Sequence, residues 1–317
     1  MSCNGQADIA LHLFGNKAAQ YYNGIHDVAN GCDGFNYQFM EMDSYKRLYE
    51  NHQLAEAQRV YWSEIIYRAH ITACASLLRA ERWLNGVLDG YRIGNLFVWA
   101  ASLRGLIEST VDSFIPLAAA DSVFRKNLEQ INKILKTEFS KTAYWSHDLE
   151  NELIHFMHGR KLSGEESKQN PQHKTKRTQE YLLSMFPDKD HAVHDSYRKL
   201  CEIVHPACSS VAAFVNENGC LYTLSNCRDR EYLNNINKSV QLQYVYECLL
   251  LACFGFPVSI LRCINRMELP DLFIRTVEKY DHIDGTDYFR NLYVTMLAGD
   301  IIGKRVKEGE GAPQKTA

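Results

Sequence analysis

The chain has 317 residues, of which 46% are hydrophobic and 23% are charged, and its 35 basic and 38 acidic residues leave a formal net charge of −3. This is the composition of a soluble globular protein, and the low proline and glycine contents exclude a collagen-like or mainly disordered chain. The nearly balanced charge also argues against a protein that coats nucleic acid or an anionic membrane with its whole surface.

The cysteines and the start of the chain indicate a reducing compartment. The ten cysteines are scattered singly, and no two are separated by only two residues, so we expect neither a zinc ribbon nor a disulfide framework. Because the first residues lack a basic region followed by a long apolar run, we predict a cytoplasmic protein. The most apolar segment, 245–261, contains Glu247 and Pro257, which predicts a buried core helix and no membrane span.

The first half of the chain predicts long helices after an irregular start. Residues 1–45 are rich in Gly, Asn and Asp, so we expect an N-terminal segment of turns and short pieces. Residues 44–88 contain no proline and have apolar residues at every fourth position, which predicts one long helix or two joined end to end. A second helix should run from about residue 93 to a break at Pro116.

Two further helices are predicted near 121–138 and 146–158, before a basic segment at 159–178. In that segment basic residues outnumber acidic ones and Leu162 is the only large apolar residue, so we predict an exposed loop. Its side chains that suit an RNA backbone are Arg160, Lys161, His173, Lys174, Lys176 and Arg177.

The second half of the chain predicts more helices and one hairpin. Helical patterns occur at about 179–186, 190–214, 229–266, 268–280 and 286–303. Asn218-Gly219 lies between two short apolar runs and predicts a β-hairpin at 215–224. We therefore predict an all-α fold, namely a multi-helix bundle with one small β-hairpin, in which 46–303 form a single domain and 304–317 a disordered tail.

Arg198 and His205 form the sharpest local motif. They are seven residues apart, so on a helix both side chains would leave one face, with Cα atoms about 10 Å apart. A guanidinium on a phosphate beside an imidazole that moves a proton suits metal-free RNA cleavage, in which a 2′-hydroxyl attacks its own phosphate. In the structural alternative, Arg198 pairs with Glu202 and the His205 imidazole caps the helix end on a carbonyl. Pro206 should place His205 at that end.

An arginine followed after four to six residues by a histidine, on a late helix of an all-helical protein, resembles the HEPN superfamily (higher-eukaryote and prokaryote nucleotide-binding). Many members of that superfamily are dimeric ribonucleases of toxin and phage-defence systems. The resemblance implies a bacterial, metal-independent endoribonuclease without a cofactor, with RNA as substrate and a partner protein or a homodimer. The superfamily usually has Asn, Asp or His directly after the arginine, whereas this chain has Lys199.

Residues 60–215 are also similar to uncharacterised bacterial helical proteins of the abortive-infection kind, through blocks at 103–108, 155–161, 171–176 and 197–206. No activity follows from that similarity. Arg104 and Glu108 lie one turn apart in an apolar helix, which predicts a half-buried ion pair. The functional alternative is that Arg104 points into the same cavity as His205.

In the ribonuclease hypothesis, His205 is the general base or acid, and Arg198 and Arg104 bind the scissile phosphate. Tyr197 is a positioning donor, and the 159–178 loop attracts the RNA. The main alternative is a non-catalytic helical interaction module that binds a partner protein or a second copy of itself.

A zinc site is a third hypothesis. His191 and His194 are three residues apart, and His205 and Cys208 repeat that spacing. Four such ligands would suit zinc, although their spacing is irregular for a zinc site.

Overall fold

The computed structural model describes residues 3–138, 144–169, 173–206, 208–280 and 290–291, and it confirms the predicted all-α class. The helices are α1 (Cys3–Ala29), α2 (Met42–Glu50), α3 (Leu54–Ile93), α4 (Leu96–Leu135), α5 (His147–His158), α6 (Gly164–Gln169), α7 (Thr178–Met185), α8 (Ala192–Val204), α9 (Cys208–Ala212), α10 (Arg228–Asn237) and α11 (Val240–Asn265). In the described residues, the only sheet is the predicted antiparallel hairpin of β1 (Val215–Asn218) and β2 (Leu221–Leu224).

The helices α3 and α4, each 40 residues long, form a tightly packed antiparallel pair at the centre of the fold. Gly94 ends α3 with a positive φ of 69°, and the side chain of Asn95 caps α4. Glycines of α3 permit the close approach of its backbone to α4. A Cβ added to Gly90 would lie 2.5 Å from the Trp99 backbone nitrogen. A Cβ at Gly86 would likewise lie 2.5 Å from a side-chain oxygen of α4.

The predicted break at Pro116 is wrong, because α4 continues through this proline to Leu135. Proline lacks the backbone N–H of the helical ladder and costs about 3 kcal/mol in a helix interior. The flanking residues Phe114 and Leu117 are buried, and their packing offsets that cost. The helix predicted at 121–138 is therefore the second part of α4, whose backbone departs from helical geometry at Asn127 instead.

The expectation of an irregular N-terminal segment is wrong for α1. Leu13, Ala18, Tyr22 and Ile25 are buried at intervals that follow one side of a helix, and α1 packs against α11 and α3. The glycines and asparagines that suggested turns are compatible with the helix because this apolar side is covered. Gly15, with φ 78° and ψ 169°, marks a kink in α1.

The predicted core helix at 245–261 is confirmed as part of α11, which packs against α1, α3 and α4. By length and composition α11 is apolar enough to cross a membrane, but 72% of its most apolar window is buried inside the fold. Contacts between α4 and α11 advance together along both helices, and the rings of Phe114 and Phe256 lie 5.9 Å apart, so the two helices run parallel. Pro257 in α11 therefore lies close to the level of Pro116 in α4. Thr110 contacts Cys253, with 3.0 Å between Oγ1 and Sγ, and farther along Asp121 contacts Ser259.

The remaining predicted helices are confirmed only in part. The long pattern at 44–88 resolves into α2 and α3, and the pattern at 190–214 into α8 and α9. Residues 268–280 form two 3₁₀ turns, Pro270–Leu272 and Arg275–Tyr280, because Pro270 prevents a continuous helix. The predicted helix at 286–303 lies outside the described residues except for 290–291, and the predicted tail at 304–317 lies wholly outside them.

A buried histidine in α3 makes the fold sensitive to acid. His70 is fully buried, accepts a hydrogen bond from Tyr37 at 2.7 Å and donates one to the Leu272 carbonyl at 3.0 Å. Burial lowers the pKa of His70 to about 4. Since the unfolded chain binds this proton at about pH 6.5, the unfolded state takes up more protons between pH 6.5 and 4.

We therefore expect the free energy of unfolding to fall as the pH falls through this window, and the loss to reach about 3 kcal/mol near pH 4. His70→Gln should reduce this loss of the free energy of unfolding, as measured by urea unfolding from pH 7.5 to 4. His12→Gln, at an exposed position, is the matched control and should leave the pH dependence unchanged. An equal pH dependence of the free energy of unfolding in the native protein and in His70→Gln would contradict this role of His70.

Candidate functional site

The candidate site lies where α8 packs against α4. The side chain of His191 caps the start of α8 by accepting a hydrogen bond from the Val193 backbone nitrogen at 3.3 Å. The helix ends at Val204, and His205 follows it with an extended backbone, φ −83° and ψ 154°. This confirms that Pro206 excludes His205 from helical geometry, because a residue before proline avoids the α region.

Arg104 of α4 contacts His205 directly. Its Nη1 lies 3.0 Å from His205 Nε2, and its Nε donates to Glu108 Oε1 at 3.0 Å. Because a guanidinium can only donate, Nε2 is the acceptor in this contact, and the imidazole carries its proton on Nδ1. The Arg104–Glu108 ion pair is thus confirmed, and the same arginine also reaches the histidine 101 positions farther along the chain.

Tyr197 completes the group, which we call the Arg104 cluster: Arg104, Glu108, Tyr197 and His205. The Tyr197 hydroxyl donates to Glu108 Oε1 at 2.8 Å, and the Arg104 guanidinium lies 5.9 Å from the centre of the Tyr197 ring. Burial and the hydrogen bond to Glu108 raise the pKa of Tyr197 to about 12, so the phenol stays protonated at neutral pH. Burial lowers the pKa of Arg104, but Glu108 and Tyr197 outweigh it and the net shift is upward.

Arg198 does not join the Arg104 cluster. It forms an ion pair with Asp195, one turn earlier on α8, and its side chain is 67% exposed. The spacing argument fails because His205 lies beyond the helix, where a seven-residue interval no longer means a shared face. The structural alternative is wrong in its details as well, since Arg198 does not pair with Glu202 and the His205 imidazole contacts a guanidinium rather than a carbonyl.

The basic loop at 159–178 is not a loop throughout, because the helix α6 (Gly164–Gln169) lies within it. Arg160 and Lys174 form a parallel β-bridge, and the Arg160 backbone nitrogen donates to the His173 carbonyl at 2.8 Å. Arg160 also pairs with Glu166. Five of the six candidate side chains are exposed, and His173 is half-buried.

The loop ends beside the Arg104 cluster. Thr178, the first residue of α7, lies close enough to Tyr197 to act against the rise of the Tyr197 pKa. Arg177 directly precedes it and is exposed. The C-terminal end of the basic loop therefore lies next to the cluster.

The four residues of the zinc hypothesis do not form a metal site. His194 Nε2 is 2.8 Å from the Phe186 carbonyl oxygen, and His191 Nε2 is 3.3 Å from the Tyr244 hydroxyl. His205 contacts Arg104, and Cys208 is exposed. Within the described part of the chain, no group of three or more His, Cys, Asp or Glu side chains could hold a metal ion.

Two residues next to the Arg104 cluster, Cys201 and Thr178, were missed by the sequence analysis. Cys201 is half-buried between Tyr197 and His205, and its carbonyl accepts the His205 backbone N–H at 2.9 Å. Its four-residue spacing from both neighbours could have identified it. Thr178 could not be found this way, because its contact with Tyr197 depends on how α7 packs against α4.

The comparisons with known proteins give no relative: no family model, curated protein or solved structure matches this chain.

The contact between Tyr197 and Glu108 should couple α8 to α4 energetically. In a double-mutant cycle of Tyr197→Phe and Glu108→Gln, we expect a coupling energy of about 1 kcal/mol, because Glu108 is partly exposed and the bond is charge-assisted. Urea unfolding of the four proteins measures it. The matched pair Tyr197→Phe and Asp112→Asn should be additive, since Asp112 pairs with Arg79 instead. Additivity in the first cycle would contradict the contact.

Proposed function

We propose that the chain is a metal-independent endoribonuclease of the HEPN-like kind, acting in a bacterial toxin or phage-defence setting. The observation that carries the proposal is the 3.0 Å contact between Arg104 Nη1 and His205 Nε2, made by an exposed imidazole. A cation and a neutral imidazole side by side are the groups that phosphodiester cleavage without a metal requires.

In the proposed reaction, a phosphate oxygen of bound RNA replaces His205 Nε2 as the acceptor for Arg104 Nη1. The freed Nε2 lone pair takes the proton of the 2′-hydroxyl. The 2′-oxygen attacks phosphorus, the bond from phosphorus to the 5′-oxygen breaks, and water protonates the leaving oxygen. The products are a 2′,3′-cyclic phosphate and a 5′-hydroxyl.

Glu108 and Tyr197 act on Arg104 in this proposal. Glu108 accepts from Arg104 Nε, which fixes the plane of the guanidinium and leaves its Nη groups for the phosphate. Tyr197 donates to the same carboxylate oxygen and stays protonated because its pKa is about 12. Both are positioning residues, because neither needs to touch the reacting atoms.

His205→Ala should reduce cleavage of total cellular RNA in the presence of chelator by about 10²- to 10⁴-fold, the range expected for loss of a general base. Arg104→Ala should cause a comparable loss because the charge on the phosphate is no longer neutralised. Arg198→Ala should cause a much smaller loss, since Arg198 is paired with Asp195 outside the cluster.

Arg92→Ala is the matched control, because Arg92 pairs with Asp89 at the same interval as Arg198 with Asp195. It should cleave like the native protein, and circular dichroism should show every variant folded. A native protein that cleaves no RNA, alone or with its natural partner, or full cleavage by folded His205→Ala, would overturn the enzyme proposal.

The basic loop should set the electrostatic part of RNA binding. Lys174→Ala and Arg177→Ala should each weaken binding at low salt and reduce the slope of log K against log salt by about 0.7, the value for one phosphate contact of a single strand. Fluorescence anisotropy with a labelled RNA at several salt concentrations measures the slope. Lys126→Ala, at an exposed position on α4, should leave the slope unchanged. Unchanged slopes for both loop variants would contradict this role.

A second candidate function is an interaction module for a partner protein or a second copy of the chain. The β-hairpin supports it, because Leu221, Tyr222 and Leu224 are 64%, 64% and 80% exposed. Val211 and Val240 are also largely exposed. Loss of self-association or partner binding in Leu224→Asp, together with a biological effect that persists in His205→Ala, would favour this function over cleavage.

A further inference from the structure

A cavity of about 190 Å³ lies on a different face of α8 from the Arg104 cluster. It is lined by α4, α8, α10 and the start of α11 and is open to solvent on one side, and its apolar walls come from Trp99, Leu103, Leu200, Ile203, Ile236 and Leu242. An apolar cavity of about 150 Å³ in another protein stays dry and binds benzene. This cavity therefore has room for one aromatic ring or a short aliphatic chain.

The polar groups of the cavity include a free cation. Lys199 lines the cavity, is exposed, and makes no ion pair with any residue that the structure describes. The hydroxyl groups of Ser196 and Tyr232 also belong to the lining. An ammonium group beside apolar walls is complementary to a ligand with an apolar body and one anionic head group.

We propose that this cavity binds a small organic acid, with its ring or alkyl chain against the apolar walls and its carboxylate or phosphate on Lys199. The same position departs from the HEPN pattern in the sequence. In the structure Lys199 lines this cavity, whereas the Arg104 cluster is formed by Tyr197 and His205 on the other side. The proposal does not rest on RNA cleavage, because no residue of the Arg104 cluster lines the cavity.

The test uses the full chain and isothermal titration with phenylacetate, and phenylacetamide is the neutral analogue of the same shape. We expect phenylacetate to bind with a Kd no weaker than about 10 mM, as its size allows, and phenylacetamide to bind about five- to tenfold more weakly. Lys199→Met should remove this preference for the anion. Lys126→Met, which changes an exposed lysine that does not line the cavity, should retain it.

Ile236→Trp tests the location. Ile236 is half-buried at the cavity, so a larger side chain should fill the space without unfolding the protein, and thermal unfolding checks this. Binding of both probes should be lost. No binding of either probe, equal affinity for both, or unchanged binding by folded Ile236→Trp would each overturn the proposal.

Phenyl phosphate in place of phenylacetate distinguishes the two head groups. Tighter binding of either anion supports the proposal and identifies the head group that the cavity prefers. The outcome is independent of nuclease activity, because the titration contains no RNA.

Discussion

The close approach of α3 and α4 is the constraint on which the rest of the structure depends. The small residues Gly86 and Gly90 bring the two backbones so near that a Cβ at either position would collide with α4. With α3 covering one side of α4, the helices α7, α8 and α11 pack against its other sides. Arg104 and Leu103 both border α8 but lie on different sides of it. The helix α8 therefore separates the polar cluster from the apolar cavity.

The helical periodicity was sufficient to predict the fold class and most of the helix positions, because burial on one side of a helix leaves a clear pattern. It failed where tertiary packing outweighed local preference. The polar composition of 1–45 suggested turns, yet α1 forms because its apolar side is covered by α11 and α3. Pro116 suggested a helix end, yet α4 continues because its neighbours are buried.

The candidate site could be predicted only at the level of its residues. Arg104, Glu108, Tyr197 and His205 were all identified from the sequence, and so was the Arg104–Glu108 ion pair. The meeting of Arg104 with His205 could be stated only as one of two alternatives. The contact between Arg104 and His205 joins residues 101 positions apart, and no local pattern encodes such a distance. The loss of Arg198 from the site follows from local chemistry, because Asp195 lies one turn away and Pro206 removes His205 from the helix.

The parallel packing of α4 and α11 has a mechanical consequence. Pro116 and Pro257 lie at nearly the same level, so both core helices lack one backbone hydrogen bond in the same cross-section of the bundle. Bending there disrupts fewer hydrogen bonds than bending elsewhere along either helix. The pair of α4 and α11 therefore bends more easily at this level, with the Arg104 cluster on one side of it and the Asp121–Ser259 contact on the other.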